Sequence, residues 1–440
     1  MFEKTIVRVM KWHSFPWVSL VIMAAFAGIV ADRQSARADA VAVWGRNAYG
    51  QVGDGTTGTW RPTPVVISSL GYDLASISAG GEHTLALKSN GSLWAWGLGG
   101  DGQLGDGTGS NKNTPVAVSG LTSGVVAVAA GKDHSIALKS DGSVWAWGDN
   151  FNGQIGDGTS AYRGTPVAVN ILTSGVTAIA AGDSHNLALK SDGSLWAWGA
   201  DAECQLGNGG THDCYTPVAV KNLTSGVIAI AAGWSHSLAV KSDGSVWAWG
   251  WSSDGQIGDG STATRPTPVA VSGLTSGVTA VAAAFRHSLA LRNGTVWAWG
   301  YNRYGQLGDG TTVSCLVPEE IDPADLTDIT AIAADWGSSY ALSRDGSLWV
   351  WGDNSYGELG LGNATSHLTP THLLPPVGYR FTSIDAGSGK HAVATLAAVP
   401  EPGSLALLSA AVAALAAWAW QRNRGDSNHG PGPLANSTPS

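Results

Sequence analysis

The chain has 440 residues, a net charge of −9, 60 glycines, 21 tryptophans and only 13% charged residues. Glycine stands at about twice its usual ~7%, but it recurs at regular intervals among abundant apolar residues, which excludes a collagen and a disordered linker protein. Residues 41–398 carry 17 basic against 28 acidic side chains, so this body is a poor nonspecific binder of phosphate backbones, and nucleic acid is not an expected partner.

The N-terminus opens with Lys4, Arg8 and Lys11, continues apolar from Phe15 to Ala31, and ends on Ala38-Asp39-Ala40. That order of charged, apolar and small-x-small segments reads as a secretory signal peptide over residues 1–40. Ala38 and Ala40 form the cleavage pattern for signal peptidase, and Val41 is the expected first mature residue. An uncleaved membrane anchor is the alternative.

From residue 41 onward the chain repeats itself, which dictates the fold. A Trp-Gly pair recurs with its glycine at 45, 97, 148, 199, 250, 300 and 352, spaced by 52, 51, 51, 51, 50 and 52 residues. After each pair comes Gly-Gln-(Leu/Ile/Val)-Gly-Asp-Gly, degraded once around Cys204 and again at residues 357–362, where Glu358 replaces glutamine. A third recurrent word places histidine at 83, 134, 185, 236, 287 and 391, with Ser338 in the sixth slot.

Each period contains four short runs with strand character, for example 227–232, 236–240, 246–249 and 268–271. Asp-Gly or Asn-Gly joins the second and third runs at 90–91, 141–142, 192–193, 243–244, 293–294 and 345–346. These dipeptides predict a two-residue hairpin turn with positive φ. Four antiparallel strands per ~50 residues describe propeller blades. The repeat begins with strands three and four (41–44, 64–67) and ends with strands one and two (381–386, 391–396). Joined, these halves complete a seventh blade and leave no open seam. The expected fold is therefore all-β, one seven-bladed propeller over residues 41–398.

The words Gly-Gln-Leu-Gly-Asp-Gly, Ala-Ala-Gly-x-x-His-Ser-Leu-Ala-Leu and Trp-Ala-Trp-Gly resemble the regulator-of-chromosome-condensation repeat, and the likeness covers essentially all of 41–398. The resemblance implies a seven-bladed propeller. For activity it implies little: the founding member promotes nucleotide exchange on a nuclear GTPase, while secreted bacterial relatives include protein inhibitors of β-lactamases. No residue here matches the exchange role.

Beyond the repeat, Val399 leads into Pro400-Glu401-Pro402 and an apolar run from Leu405 to Trp420, followed by Arg422 and Arg424. The prolines break the chain before a short membrane-seeking helix, whose sixteen residues reach only about 24 Å against a ~30 Å hydrocarbon core. Residues 399–424 resemble the PEP-CTERM sorting signals of Gram-negative bacteria, read by an exosortase; 425–440 form a polar tail. A plain transmembrane anchor is the alternative. The resemblance implies export, transient anchoring in the inner membrane through Leu405–Trp420, and delivery to the cell surface or extracellular matrix.

Residues copied into every blade read as scaffold. The histidines lie one to a blade, too far apart to converge on one zinc ion, and are expected to bond neighbouring backbone. The Asp of Gly-Asp-Gly reads as turn chemistry. Thirteen tryptophans in the Trp-Gly words read as core. No metal, cofactor or catalytic residue is expected.

Attention falls instead on places where the copying fails. In an up-down-up-down blade the loops from strand one to two and from three to four emerge on one face. There, three adjacent blades carry Trp234 and Trp251; Phe285, Arg286, Tyr301, Arg303 and Tyr304; and Trp336 and Tyr356. Aromatics with arginine anchor interfaces and stack on sugars or peptides. The expected function is a noncatalytic exported propeller that captures a protein or an envelope polysaccharide. Alternatives are a lyase or hydrolase acting on extracellular polysaccharide, and a purely structural surface or biofilm component. Cys204 and Cys214 bracket a loop where other repeats lack cysteine, and suggest a disulfide in an oxidising compartment.

Overall fold

The computed structural model describes residues 39–322 and 326–399. The N-terminal segment to residue 38, including Ala38, and the sorting segment from Pro400 onward lie outside them. Among the described residues there are seven four-stranded antiparallel sheets and a single short 3-10 turn, Ser68–Leu70. Blade one comprises Leu74–Ala79, His83–Lys88, Leu93–Gly97 and Lys112–Ala117. Blades two to six follow over residues 125–168, 176–219, 227–270, 278–320 and 329–373.

Blade seven is built from both ends of the repeat, in the order Arg61–Ile67, Ala40–Gly45, His391–Ala398 and Tyr379–Ala386. Ala40 pairs with Leu396 and Gly45 with His391. The ring therefore closes as the repeat predicts, and no strand edge is left at a seam. Ala40, the last residue expected before cleavage, is the first residue of its strand and is buried.

Strand one of every blade lines a central channel of about 400 Å³, walled mainly by alanine, isoleucine and valine. Small side chains are needed there because seven strands converge on one axis. Between blades, seven tryptophans (Trp44, Trp96, Trp147, Trp198, Trp249, Trp299 and Trp351) are fully buried. Six of these indoles donate to a glutamine carbonyl of the preceding blade, as Trp147 does to Gln103 at 2.8 Å, and Trp44 donates to the Glu358 carbonyl. Gly105 shows why glycine precedes the Asp-Gly pair: its φ is +68°, and a Cβ there would stand 2.7 Å from the Trp147 indole nitrogen.

The tryptophans two residues earlier behave differently from the core expectation. Trp94, Trp145, Trp196, Trp247 and Trp297 are only half-buried, each beneath a lysine or arginine that ends strand two. They share the side of the strand with the buried tryptophans, and Trp94, Trp196, Trp247 and Trp297 pack against the interblade clusters, but all five remain partly open to solvent.

The hairpins also differ from the predicted type. Leu87 pairs with Leu93, and Gly91 N–H donates to the Lys88 carbonyl, so the loop has three residues. Gly91 alone takes positive φ, at +79°. The residue before it accepts a hydrogen bond from the Ser92 amide. This is a type I turn followed by a left-handed glycine. One blade does form the two-residue turn: Arg292 pairs with Thr295, and Asn293 and Gly294 both have positive φ. That blade is the one whose Trp-Gly spacing is 50, so a single deleted residue switches the turn type.

Candidate ligand-binding face

Loops one-to-two and three-to-four emerge on what is called here the mouth face; hairpins and interblade connections form the opposite, hairpin face. On the mouth face the residue two places before the histidine slot is Trp234, Phe285 and Trp336 in blades four, five and six. Identical placement on adjacent blades brings them into contact, and the three-to-four loops add the rest. Trp251 meets Trp234 edge-on with centroids 5.2 Å apart, and Trp234 lies 4.5 Å from Phe285. Phe285 stacks on Trp336 at 5.1 Å, Tyr304 lies 5.6 Å from Trp336, and Tyr301 6.3 Å from Tyr304. Six rings form one continuous chain, half-buried against each other, and Trp234 also lines the channel.

Arg286 lies over four of these rings, closest to Trp251 at 4.5 Å, and pairs with Asp254 at 3.5 Å. Tyr356 stands apart from the chain, exposed, beneath Arg46 and Lys390. Arg303 is exposed. The sequence reading missed Lys390 and Arg46, both contributed by blade seven. Lys390 caps the aromatic chain, 4.2 Å from the Trp336 ring. Further aromatics lie exposed in three-to-four loops elsewhere, Phe151 and Tyr162 in blade two and Tyr49 and Trp60 in blade seven; Trp60 covers Gly357 across the seam.

The other half of the mouth is acidic. Burial pushes Asp133 up to about 6 against the pull of Lys132, with Asp101, Asp183 and Asp149 adding to the rise. Burial likewise raises Glu82 although it pairs with Arg46 and Gln51, and raises Asp183, which accepts from Trp234. Aromatic rings thus gather over blades four to six with Lys390 and Arg46 of blade seven beside them, while Glu82, Asp133 and Asp183 lie over blades one to three.

The recurrent histidines are linked into the scaffold, though through side chains of the next blade. His83 Nε2 lies 2.8 Å from the Ser135 hydroxyl, and the same link joins His134 to Asn186, His185 to Ser237, His236 to Ser288, His287 to Ser339 and His391 to Thr84. Burial lowers His83, His185, His236 and His287 to about 3, so these rings are neutral. The Asp of Gly-Asp-Gly turns the loop as expected: Asp157 accepts from Thr159 and also pairs with Arg163, which starts strand four.

At the sixth slot the link is missing on both sides, since Ser338 replaces histidine and Ala392 replaces the hydroxyl partner. Within blade six, beside that gap, the Tyr340 hydroxyl lies 3.1 Å from Asp335 and 3.0 Å from the Glu358 carbonyl. Burial, reinforced by Glu358, pushes Asp335 up to about 8, and burial pushes Glu358 up to about 7. Lys390 bonds Asp353 at 2.9 Å and lies 3.9 Å from Glu358. This is the acid pair confined to one blade that a hydrolytic reading requires. Yet Asp335 and Glu358 are each only 1% exposed, so neither presents its carboxyl to a substrate. Ser338 and Glu358 were visible in the sequence as failures of the repeat and were its signal.

The cysteines are free thiols. Cys204 takes the slot of Gly153, Gly255 and Gly305, whose added Cβ atoms would meet Tyr215, Leu316 and Leu368 of the following blade. That slot points away from Cys214, whose thiol contacts Asn208 and the His212 carbonyl. Among the described residues Asp309, Cys315 and Glu319 cluster within 4.8 Å. Burial, with Glu319, pushes the Cys315 thiol up to about 11.

An RCC1-like domain matches residues 29–290, and regulator of chromosome condensation (RCC1) repeats match residues 293–342 and 345–394. The chain belongs to the RCC1 repeat family. This RCC1 propeller is 33% identical over 318 residues to the ultraviolet-B receptor UVR8 of Arabidopsis thaliana, covering 71% of the chain and 72% of that protein. To the human E3 ubiquitin-protein ligase HERC2 it is 32% identical over 253 residues, 56% of the chain but 5% of the ligase. Its fold matches human WBSCR16 with a TM-score of 0.74 and 26% identity, over 82% of the chain and 99% of that structure. Yeast RCC1 (Prp20), solved bound to Kap60, matches at 0.74 and 22% identity over 85% and 92% of the two chains, which shows the fold. A PEP-CTERM protein-sorting motif matches residues 398–423. No helix among the described residues is long and apolar enough to cross a membrane.

Proposed function

We propose that this RCC1-repeat propeller is exported, tethered by its sorting segment, and captures a protein ligand through the aromatic half of its mouth face. One observation carries the reading: the continuous chain of six rings from Trp251 to Tyr301, with Arg286 over it and Lys390 at its edge. Half-buried aromatics offer large contact area at little entropic cost, and the cations give a ligand carboxylates to meet. The acidic half provides the complementary charge for orientation. Yeast RCC1, of the same fold, was solved bound to a protein partner. An envelope polysaccharide is the other ligand class for such a ring platform, and a parallel glycan array separates the two.

The test replaces Trp234, Trp251 and Trp336 together with alanine and measures capture of envelope and matrix proteins from the producing cells. Loss of a partner held by the native chain supports the reading. Undiminished capture with an unchanged circular dichroism spectrum removes this face from consideration.

A second reading rests on the same rings. The Arabidopsis relative is named an ultraviolet-B receptor, and indoles absorb in that band. Trp234 and Trp251, with centroids 5.2 Å apart, are close enough to couple their transitions, although Phe285 rather than an indole separates them from Trp336. Ultraviolet-B illumination of the purified chain would then change its oligomeric state or near-ultraviolet circular dichroism, and Trp234→Phe would abolish the change. No response to illumination discards it.

A further inference from the structure

The hairpin face has its own local failure of the repeat. Between most blades the connection reads x-Leu-Thr-Ser-Gly, at 120–124, 171–175, 222–226 and 273–277. Its leucines, Leu121, Leu172, Leu223 and Leu274, are buried, and the apolar side chains left exposed beside them, Ile171, Val126 and Ile228, are each little more than half exposed. The two connections flanking blade seven are different. One exposes Tyr72 at 73%, and the other exposes Leu374 at 72% and Val377 at 100%. Pro375 and Pro376 lie between the latter two, so the tip has fewer N–H groups to lose from water. Arg344 and Arg380 are exposed beside it; a Cβ added at Gly346 would lie 3.2 Å from the Arg380 Cβ.

Blade seven is also where the chain leaves the propeller. Strand His391–Ala398 runs from the mouth face to the hairpin face, where Leu396 pairs with Ala40. Five residues, 400–404, separate Val399 from the apolar run beginning at Leu405. Fully extended at ~3.3–3.6 Å each they reach less than about 20 Å. An apolar run held in a bilayer therefore keeps this edge of the hairpin face close to the lipid surface.

We infer that the hairpin-face edge around blade seven rests on the phospholipid bilayer, with Leu374, Val377 and Tyr72 entering its interfacial layer. This rests on the membrane tether in the proposed function. Apolar tips with a tyrosine and flanking arginines are the composition of an interfacial contact. Asp73, Asp328 and Asp345 share the edge, so attraction to anionic lipid is partly offset and the apolar tips carry the contact. The consequence is orientation: the aromatic mouth faces away from the membrane, open to a ligand.

The experiment uses the full chain in a Cys204→Ser, Cys214→Ser, Cys315→Ser background, reconstituted into phosphatidylcholine vesicles containing phosphatidylglycerol. A bimane label is placed at Leu374→Cys, at Val377→Cys, or at the exposed mouth-face control Ser253→Cys. Brominated lipid is expected to quench the labels at 374 and 377 and to leave the label at 253 bright. A chain that floats with the vesicles while the label at 377 is quenched no more than that at 253 overturns the docking alone. A chain that does not float overturns the tether, and the inference with it. Should the serine background fail to fold, hydrogen exchange on the unmodified chain reads the same contact. Exchange is expected to slow across 374–380, but not across 251–256, when vesicles replace detergent; equal rates in both overturn it.

Discussion

Asp201→Asn is expected to stabilise the protein at neutral pH. In most blades this slot, five residues before the buried leucine or isoleucine of the Gly-Gln word, holds an asparagine. Asn150 shows its work: Oδ1 accepts from Ile155 N–H, and Nδ2 donates to the Thr159 and Ala161 carbonyls, both at 2.9 Å. Asp201 keeps the first bond, from Leu206 N–H at 3.0 Å, but its Oδ2 is buried without a hydrogen-bond partner. Burial, with help from Asp213, raises its carboxyl from 3.8 to about 6 despite the hydrogen bond from Leu206. Because the folded state holds the proton more tightly than the unfolded chain, stability is fullest below about pH 4 and the loss is complete above about pH 6. At ~1.4 kcal/mol per unit the rise amounts to about 3 kcal/mol, and solvent screening reduces it to about 1.5 kcal/mol. Thermal unfolding followed by circular dichroism should show the variant's midpoint ~2–3 °C higher near pH 7. The gain should shrink near pH 4. An unchanged or lowered midpoint at neutral pH would refute the claim that the buried oxygen is a liability.

Asp335, raised to about 8 and Glu358, raised to about 7, have the same sign, so native stability should fall as pH rises from about 5 to about 9; denaturant midpoints across that range should be flatter in Asp335→Asn. Ile171 is β-branched at φ +58°, in a slot that Gly120 and Gly273 fill elsewhere; Ile171→Gly should gain about 1 kcal/mol in urea unfolding. Trp147→Ala removes a fully buried indole and its bond to Gln103, and should cost ~3–5 kcal/mol by the same assay. Alkylation of the unfolded chain without reductant should label Cys204, Cys214 and Cys315 alike, as read by intact mass; protection of Cys204 and Cys214 would mean that the loop turns back to join them.

The ring was legible because its words recur at fixed offsets, and strand alternation inside each period left little choice of pairing. Turn type was not legible from Asp-Gly alone. Loop length decides it, and only the 50-residue period around Asn293 has the length that the dipeptide prefers. The aromatic chain was visible as three blades with matching departures from the repeat. Lys390 beside Trp336, and Arg46 over Tyr356, were invisible because closure brings together residues far apart in sequence. Asp335 and Tyr340 show a different limit. Each looks like an isolated substitution, and only the structure reveals that they bond each other within blade six, beside the missing histidine link between Ser338 and Ala392.

Blade seven imposes a timetable on synthesis. Ala40–Gly45 is the first strand of the propeller to be made, and its inner neighbour, His391–Ala398, is the last. Until the final eight residues emerge, the earliest strand has an unmatched row of amides and carbonyls, and the circle stays ajar however well blades one to six have formed. A truncated product therefore cannot pass for a finished one: completion is registered by a single latch, two residues before Pro400.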